Sequence, residues 1–188
     1  MQIRIVKLDA SGKEDFFRLH CDQNSAGGCF CTAWWVPTWE EWSDRTPEQN
    51  RELRRQLFSN NQFDGYLLYD GTEPIGWCQC CPRDAIPKIR QTYNLVPDPR
   101  IWVVSCFFIL ARYREIGLAQ HFLDKIIEDL ISRDVTHVQG FPKRGKNLQA
   151  DDLWTGPESI FVKAGFRLEQ DDECHPVYGL HLGTKDGI

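Results

Sequence analysis

The hydrophobic positions of this chain change period several times, and each change marks an element. Residues Ile101-Trp-Val-Val-Ser-Cys-Phe-Phe-Ile-Leu110 are almost continuously apolar. Such a run reads as a strand buried on both faces. After a short polar turn containing Gly117, apolar residues recur at Leu118, Phe122, Ile126 and Leu130, with Ala119, Leu123, Ile127 and Ile131 beside them. That spacing predicts an amphipathic helix of about four turns, ending near Arg133. Upstream, Met1–Leu8 alternates like a strand. Ser11 and Glu14 have capping-box spacing and predict a helix to about Cys21. Thr46, Pro47 and Gln49 predict a second helix, ending near residues 59–61. Gly65–Tyr69 and Glu73–Cys80 flank Asp70-Gly71 and predict a hairpin. Asn24–Cys29 reads as a flexible loop, and the proline-rich stretch Pro82–Arg100 as a connection with at most one helical turn. Thr136–Phe141 is a short strand and Pro142–Leu153 a basic loop. Pro157–Ala164 is a helix stopped by Gly165. Phe166–Glu169 and Val177–Leu182 close the chain as strands.

Strand-helix-strand over Ile101–Phe141 predicts a parallel, right-handed crossover, and the hairpins predict antiparallel neighbours. An α/β fold follows, a single domain with a mixed sheet and helices on both faces. Length agrees, since 188 residues suit one domain with a substantial core.

Charge and cysteine count narrow the surroundings. The net charge of -5 argues against a nucleic-acid surface. No apolar run approaches the ~20 residues of a membrane span, and the N-terminus is not a signal peptide, so a cytoplasmic protein is expected. The eight cysteines are then expected as free thiols. Cys29-Phe-Cys31 and Cys78-Gln-Cys80-Cys81 lack the spacing of structural zinc sites, so no metal is expected. On a strand, Cys78 and Cys80 share a face as small core residues.

The candidate chemistry begins at Arg114-Glu115-Ile116-Gly117-Leu118-Ala119. A strand, a glycine-containing turn and a helix start form an anion site: the first N–H groups of the helix lack intrahelical partners, and the dipole favours negative charge. Arg114 near a helix start is itself mildly misplaced unless an anion joins it. A phosphate-bearing cofactor is implied. Trp34, Trp35, Trp39 and Trp42 crowd a segment broken by Pro37. Adjacent Trp34 and Trp35 cannot share a face of a regular element, so at least one lines a pocket or interface. Arg83 has the fork to hold a substrate carboxylate, or to make a structural ion pair.

Arg114-x-x-Gly117-x-Ala119 after a buried strand resembles the acyl-CoA pyrophosphate signature of the GNAT N-acetyltransferases, Gln/Arg-x-x-Gly-x-Gly/Ala. Ile109 falls where that family places an apolar residue, and Ala111 where it often has proline. Ile160-Phe-Val-Lys-Ala-Gly-Phe166 resembles the family's late-helix signature. Gly76-Trp77-Cys78 with Pro82-Arg83, Cys29-Phe-Cys31 and Trp34-Trp35 are similar to a bacterial-type subgroup.

The resemblance implies a GNAT-like splayed sheet and an N-acyltransferase moving an acetyl group from acetyl-CoA to an amine of a small molecule or peptide, in a monomer or homodimer. The pyrophosphate would lie on Arg114, Glu115, Ile116, Gly117, Leu118 and Ala119. The pantetheine would pair with backbone at Phe107, Phe108 and Ile109, in a slot opened by strand splay. Lys143, Arg144 and Lys146 are candidates for the adenosine phosphate. Trp34, Trp35, Trp77 and Arg83 are assigned to the acceptor. Phe161 stands against the cofactor where the family usually has a tyrosine acid, and phenylalanine cannot protonate a thiolate. The buried strand also carries no carboxylate base. Ser105, sharing a face with Val103 and Phe107, and His137, as a proton relay through water, are the catalytic candidates. Two rivals remain: a non-catalytic acyl-CoA-binding module of the same fold, and a thiol or zinc protein built on Cys29, Cys31, Cys78, Cys80 and Cys81.

Overall fold

The computed structural model describes residues 1–21 and 28–183, so most of the expected loop at Asn24–Cys29 lies outside the described residues. In chain order the elements are β1 (Ile3–Lys7), α1 (Lys13–Cys21), α2 (Trp39–Ser43), α3 (Pro47–Ser59), β2 (Gly65–Asp70), β3 (Glu73–Pro82), α4 (Pro87–Thr92), β4 (Ile101–Ile109), α5 (Leu118–Ser132), β5 (His137–Gly140), α6 (Glu158–Lys163), β6 (Arg167–Gln170) and β7 (Val177–His181). One seven-stranded sheet runs β1-β2-β3-β4-β5-β7-β6. Among the described strands, only β4 and β5 pair in parallel, across the crossover helix α5. The mixed α/β architecture is the one the patterning implies.

Local chemistry explains most boundaries. Thr46 and Gln49 close a reciprocal capping box at α3, with Pro47 in its first turn. At α1 the cap differs from the sequence expectation. Asp9 accepts from the Ser11 N–H and hydroxyl at 2.8 and 2.6 Å, and a 3-10 turn at Ala10–Gly12 precedes the helix. Ser11 is thus held by a cap and is not itself the cap. The short helix α2 starts at Thr38, whose hydroxyl accepts from the Glu41 N–H. The density of tryptophan hides that signal in the sequence.

β4 is buried along almost its whole length, as its continuous apolarity requires. Its register against β3 shifts. Gln79 faces Cys106 while Cys80 faces Val104, leaving Ser105 as an extra residue on β4. That bulge bends the strand and locally increases its twist. Pairing with β5 covers only Ile101–Val104 against His137–Gly140, so β4 runs on to Ile109 without β5 beside it. The two parallel strands therefore diverge just beyond the bulge.

The α1–α3 side of the core contains two buried groups of unusual polarity. Arg54 of α3 is fully buried, donating to the carbonyls of Phe30 and Cys31 at 3.0 and 2.5 Å. Its guanidinium also lies over the rings of Phe16 and Phe58. It ties α3 to the segment that delivers Trp34. His20 of α1 stacks on Phe16 with ring centroids 4.0 Å apart, and its Nδ1 lies 2.9 Å from the Phe16 carbonyl. Burial pushes its pKa down to about 3, so the folded protein holds it neutral.

Because that folded value lies below the unfolded one, the unfolded chain takes up the proton first as pH falls. The stability attached to neutral His20 is complete above the unfolded pKa and declines as pH drops towards 3. Between pH 6.5 and 5 the decline is about 2 kcal/mol. Urea unfolding across this range should show it, and a His20→Leu variant should lack that component.

Candidate active site

The diverging strands expose a backbone edge on β4. The Phe107 N–H on that edge donates to the carbonyl of Trp154 at 2.7 Å. The Ile109 carbonyl accepts from Arg114 Nε at 2.7 Å, and the guanidinium lies over the Phe108 ring. Arg114 is therefore folded back onto the end of β4, next to the turn that follows. Glu115 has a φ of 64° and Gly117 a φ of 85°, so two left-handed residues turn the chain into α5. Gly117 is the N-cap of α5 and offers no side-chain cap to the first N–H groups. A Cβ built on Gly117 would meet no atom within 4 Å, which leaves the approach to those N–H groups open. Ile116 beside it is 54% exposed, whereas Leu118 is buried and anchors the first turn of α5. The geometry is that of an anion cradle at the end of a strand edge.

On the other side of the bulge lies a cavity of about 350 Å³. Trp34, Trp39, Tyr93, Phe141 and Trp154 wall it, with Asp172 and His175 on the β6–β7 connection. Trp34 is the fixed member: buried, it donates Nε1 to the Ser105 carbonyl at 2.8 Å and packs against Trp39 and Trp154, each with centroids 5.3 Å away. Lys88 holds the rim, bonding the carbonyls of Ala33 and Thr38 with its Nζ 3.6 Å from the centre of the Trp39 ring. Asp172 accepts from the N–H groups of Cys174 and His175 at 2.8 and 2.7 Å. Those bonds hold its carboxyl below the usual range, so it stays ionised. A carboxylate of that kind attracts an ammonium but is a weak base.

Trp154 joins the two halves. Its indole is a wall of the cavity and its carbonyl caps the β4 edge. Ser105 sits at the bulge, fully buried, with no hydrogen-bond partner for its hydroxyl among the described residues.

Several residues singled out in the sequence have other partners. His137 pairs with Ile101 at the start of β4, roughly 13 Å along the strand from Ser105. The structure does not bring the two together, and His137 is instead bonded to Glu169 at 2.8 Å. Arg83 is 3% exposed and commits its two terminal nitrogens to Gln139 Oε1 and the Val96 carbonyl, leaving it to structure and not to an acceptor carboxylate. Trp77 is fully buried in the sheet core, edge-on to Phe16 at 4.8 Å, and cannot touch an acceptor. Trp34 lines the cavity and Trp35 does not, although Trp35 packs against the same buried cluster that contains Trp34, Tyr93 and Phe141.

Lys143 and Arg144 are also spent internally. Lys143 pairs with Asp152 at 2.5 Å. Arg144 bonds Glu158, Asp171 and the Tyr178 hydroxyl. Phe161 is fully buried against Gly140 and Gly156, where β5 ends. Trp154, Tyr93 and His175 were not singled out. They lie on three separate segments, and no local spacing links them.

The cysteines do not assemble into a metal centre among the described residues. Cys78, Cys80, Cys81 and Cys106 are buried, and burial, with the Cys31 hydrogen bond leading at Cys106, pushes their thiols up. Such groups are protonated and unreactive at neutral pH.

A mixed sheet that splays after a bulge, with a glycine-capped helix following, is the arrangement expected of a GNAT-like fold. The sequence supports it: residues 30–155 match the model of the acetyltransferase (GNAT) family, and the chain belongs to that family. No curated protein matches the sequence. Among solved structures, the chain is similar to PaiA N-acetyltransferase from Thermoplasma acidophilum in complex with coenzyme A. The TM-score is 0.57 and the identity 12%, covering 96% of this chain and 99% of that one. It is also similar to the ribosomal-protein-S18-alanine N-acetyltransferase from Escherichia coli, at TM-score 0.55 and 11% identity, covering 100% of this chain and 99% of that one. A ribosomal-protein-S5-alanine acetyltransferase from Vibrio fischeri matches at TM-score 0.55 and 14% identity, covering 99% and 95%. Identities this low speak for the fold alone.

Proposed function

We propose that this chain transfers an acetyl group from acetyl-CoA to the amine of a small molecule or peptide held in the tryptophan-walled cavity. The observation that carries the reading is the juxtaposition at the bulge. An open helix N-terminus and a strand edge lie on one side, and an aromatic, acid-bearing cavity on the other. In this reading the pyrophosphate rests on the N–H groups from Arg114 to Ala119. The pantetheine follows Phe107–Ile109, which requires the Trp154 carbonyl to leave the Phe107 N–H. The released N–H is then a donor for the cofactor or for the developing oxyanion.

Asp172 attracts the acceptor as an ammonium, and aromatic faces favour the same charge. Before attack the amine must lose a proton. His175 is the imidazole on this cavity and takes the relay role in place of His137. Phe161 supplies no acid, so the CoA thiolate leaves unprotonated or takes its proton from water. The Ser105 hydroxyl is buried at the bulge and does not line the cavity; it is assigned to the reacting carbonyl as the donor uncovered when the cofactor displaces the Trp154 carbonyl from the strand edge.

Isothermal titration with acetyl-CoA tests the cofactor half. Saturable binding is expected, and its absence at millimolar cofactor would refute the reading. For the chemistry, Ser105→Ala should lower kcat about 100-fold with little change in KM. An unchanged kcat would remove Ser105 from the mechanism.

The absent hydroxyl at Phe161 favours a second reading, an acyl-CoA-binding module without turnover. Binding with no CoA release across a broad amine panel would select it.

A further inference from the structure

Far from the bulge, at the other end of β5, three strands converge on a set of side chains that acyl transfer does not use. His137 of β5, Glu169 of β6 and His181 of β7 bring their ligand-type atoms within 4.8 Å of one another. Among the described residues it is the one such group. We propose that these residues form a binding site for a divalent transition-metal ion of the zinc class.

The site is built, in the sense that its geometry has causes on three strands. His137 and His181 are register partners on β5 and β7, so their rings lie on one face of the sheet. The rings stack with centroids 4.2 Å apart and planes within 18°. Glu169 belongs to β6, one strand further out, and must cross β7 to reach them. Two features allow the crossing. Glu169 is the extra residue where the β6–β7 register shifts between Leu168 and Gln170, and a bulge re-aims its side chain. The residue it crosses is Gly179, where a Cβ would stand 1.9 Å from the Glu169 carboxylate oxygen. Any larger residue at position 179 would block the passage.

Two further side chains fix the carboxylate. Arg83, 3% exposed, donates to Gln139 Oε1 at 2.8 Å. Gln139 Nε2 donates to Glu169 Oε2 at 2.7 Å. The amide has no choice of orientation, because a guanidinium only donates and a carboxylate only accepts. Glu169 Oε1 is thereby left to the histidines, 2.8 Å from His137 Nε2 and 3.7 Å from His181 Nε2. Ligands on a tetrahedral zinc with bonds of about 2.0–2.1 Å stand roughly 3.4 Å apart, a value these two distances bracket. Two imidazoles and one carboxylate are borderline ligands suited to zinc-class ions. The His181 side chain is 78% exposed, so an ion has an entry path and a fourth position open to water.

Position in the sheet gives the ion its effect. It would clamp β5, β7 and β6 at the end remote from the splay, as a cross-link of the sheet edge. It needs neither acetyl-CoA nor turnover, so its test is independent of the function proposed above.

The full-length protein is titrated with Co²⁺, whose spectrum reports its ligands, and with Zn²⁺ by calorimetry and thermal melting. One ion per chain is expected, with visible ligand-field bands and no sulfur-to-metal charge transfer. Saturating Zn²⁺ should raise Tm by about 5 °C. Gln139→Leu, which removes the group that orients Glu169 and with it one partner of Arg83, should weaken binding about 10- to 100-fold. Glu169→Gln and His181→Ala, which remove ligands at a surface position, should weaken it more. Cys174→Ser, at an exposed thiol, should change nothing. Acetyl-CoA affinity should be the same in all these variants. Failure of the wild type to bind either ion saturably overturns the proposal. So does unchanged affinity in both ligand variants, or a charge-transfer band showing that thiolates hold the ion.

Discussion

A Gly117→Val variant is expected to bind acetyl-CoA at least 100-fold more weakly while remaining folded. The backbone at Gly117 has a φ of 85°, a conformation that β-branched residues avoid, at a cost of about 1–3 kcal/mol. Valine relieves that strain by rotating the peptide planes that begin α5. Those planes carry the N–H groups assigned to the pyrophosphate. Each hydrogen bond to a charged oxygen contributes about 1.5–3 kcal/mol, so misaligning two of them lowers affinity by a factor of roughly 100 to 10,000. The valine side chain also fills the open approach above the helix. Gly71 provides the control. It turns the β2–β3 hairpin with a φ of 59°, and a Cβ there also meets nothing within 4 Å. Gly71→Val therefore imposes similar backbone strain far from the cofactor. Calorimetry should find its affinity for acetyl-CoA unaltered and its stability reduced by a similar amount. Equal affinities in Gly117→Val and the wild type would mean that the pyrophosphate lies elsewhere.

The parts of this molecule legible in the sequence are those whose physics is local. The continuous apolar run of β4, the four-residue recurrence along α5 and the Thr46–Gln49 box each depend on neighbours in the chain. Each appears where the pattern puts it. The glycine-capped turn is similarly local, which is why a candidate anion cradle is legible in the sequence. The tryptophan-walled cavity is not. Its walls come from the α1–α2 connection, α4, the loop after β5 and the β6–β7 connection, and only tertiary packing brings them together. Residue type misled for the same reason. Trp77 and Trp34 look equivalent in the sequence, yet one is sealed behind α1 and the other borders a void. Arg83 has the chemistry to hold an anion, but burial among a glutamine and a carbonyl decides its role. The cysteine spacing attracted the metal question to β3, whereas the ligands that converge stand at 137, 169 and 181, on three strands. Sheet order, not sequence order, makes that site.

The second large effect is expected at Trp34. Trp34→Ala should destabilise the protein by about 3–5 kcal/mol, the range for deleting a buried aromatic side chain. The indole is 3% exposed and packs between Trp39, Tyr93 and Trp154. Its Nε1 also satisfies the carbonyl of Ser105, the extra residue of the β4 bulge. Truncation thus removes a large apolar contact and leaves a buried carbonyl unpaired at the point where the strands diverge. Trp34→Phe separates the two effects: the ring remains but the donor is lost, and a cost of about 1–3 kcal/mol is expected from the unpaired carbonyl. Trp39→Ala supplies the contrast. Trp39 is 40% exposed on the cavity rim, so its loss should cost about 1 kcal/mol while still opening the cavity wall. Urea unfolding of the three variants reads these differences directly. If Trp34→Ala and Trp39→Ala cost the same, Trp34 does not hold the bulge. The bulge would then owe its shape to the β3 register alone. If the expected order holds, one side chain both shapes the strand edge and walls the cavity that we assign to the cofactor and the acceptor. Trp34→Phe, which keeps the cavity wall, should then still impair CoA release from acetyl-CoA.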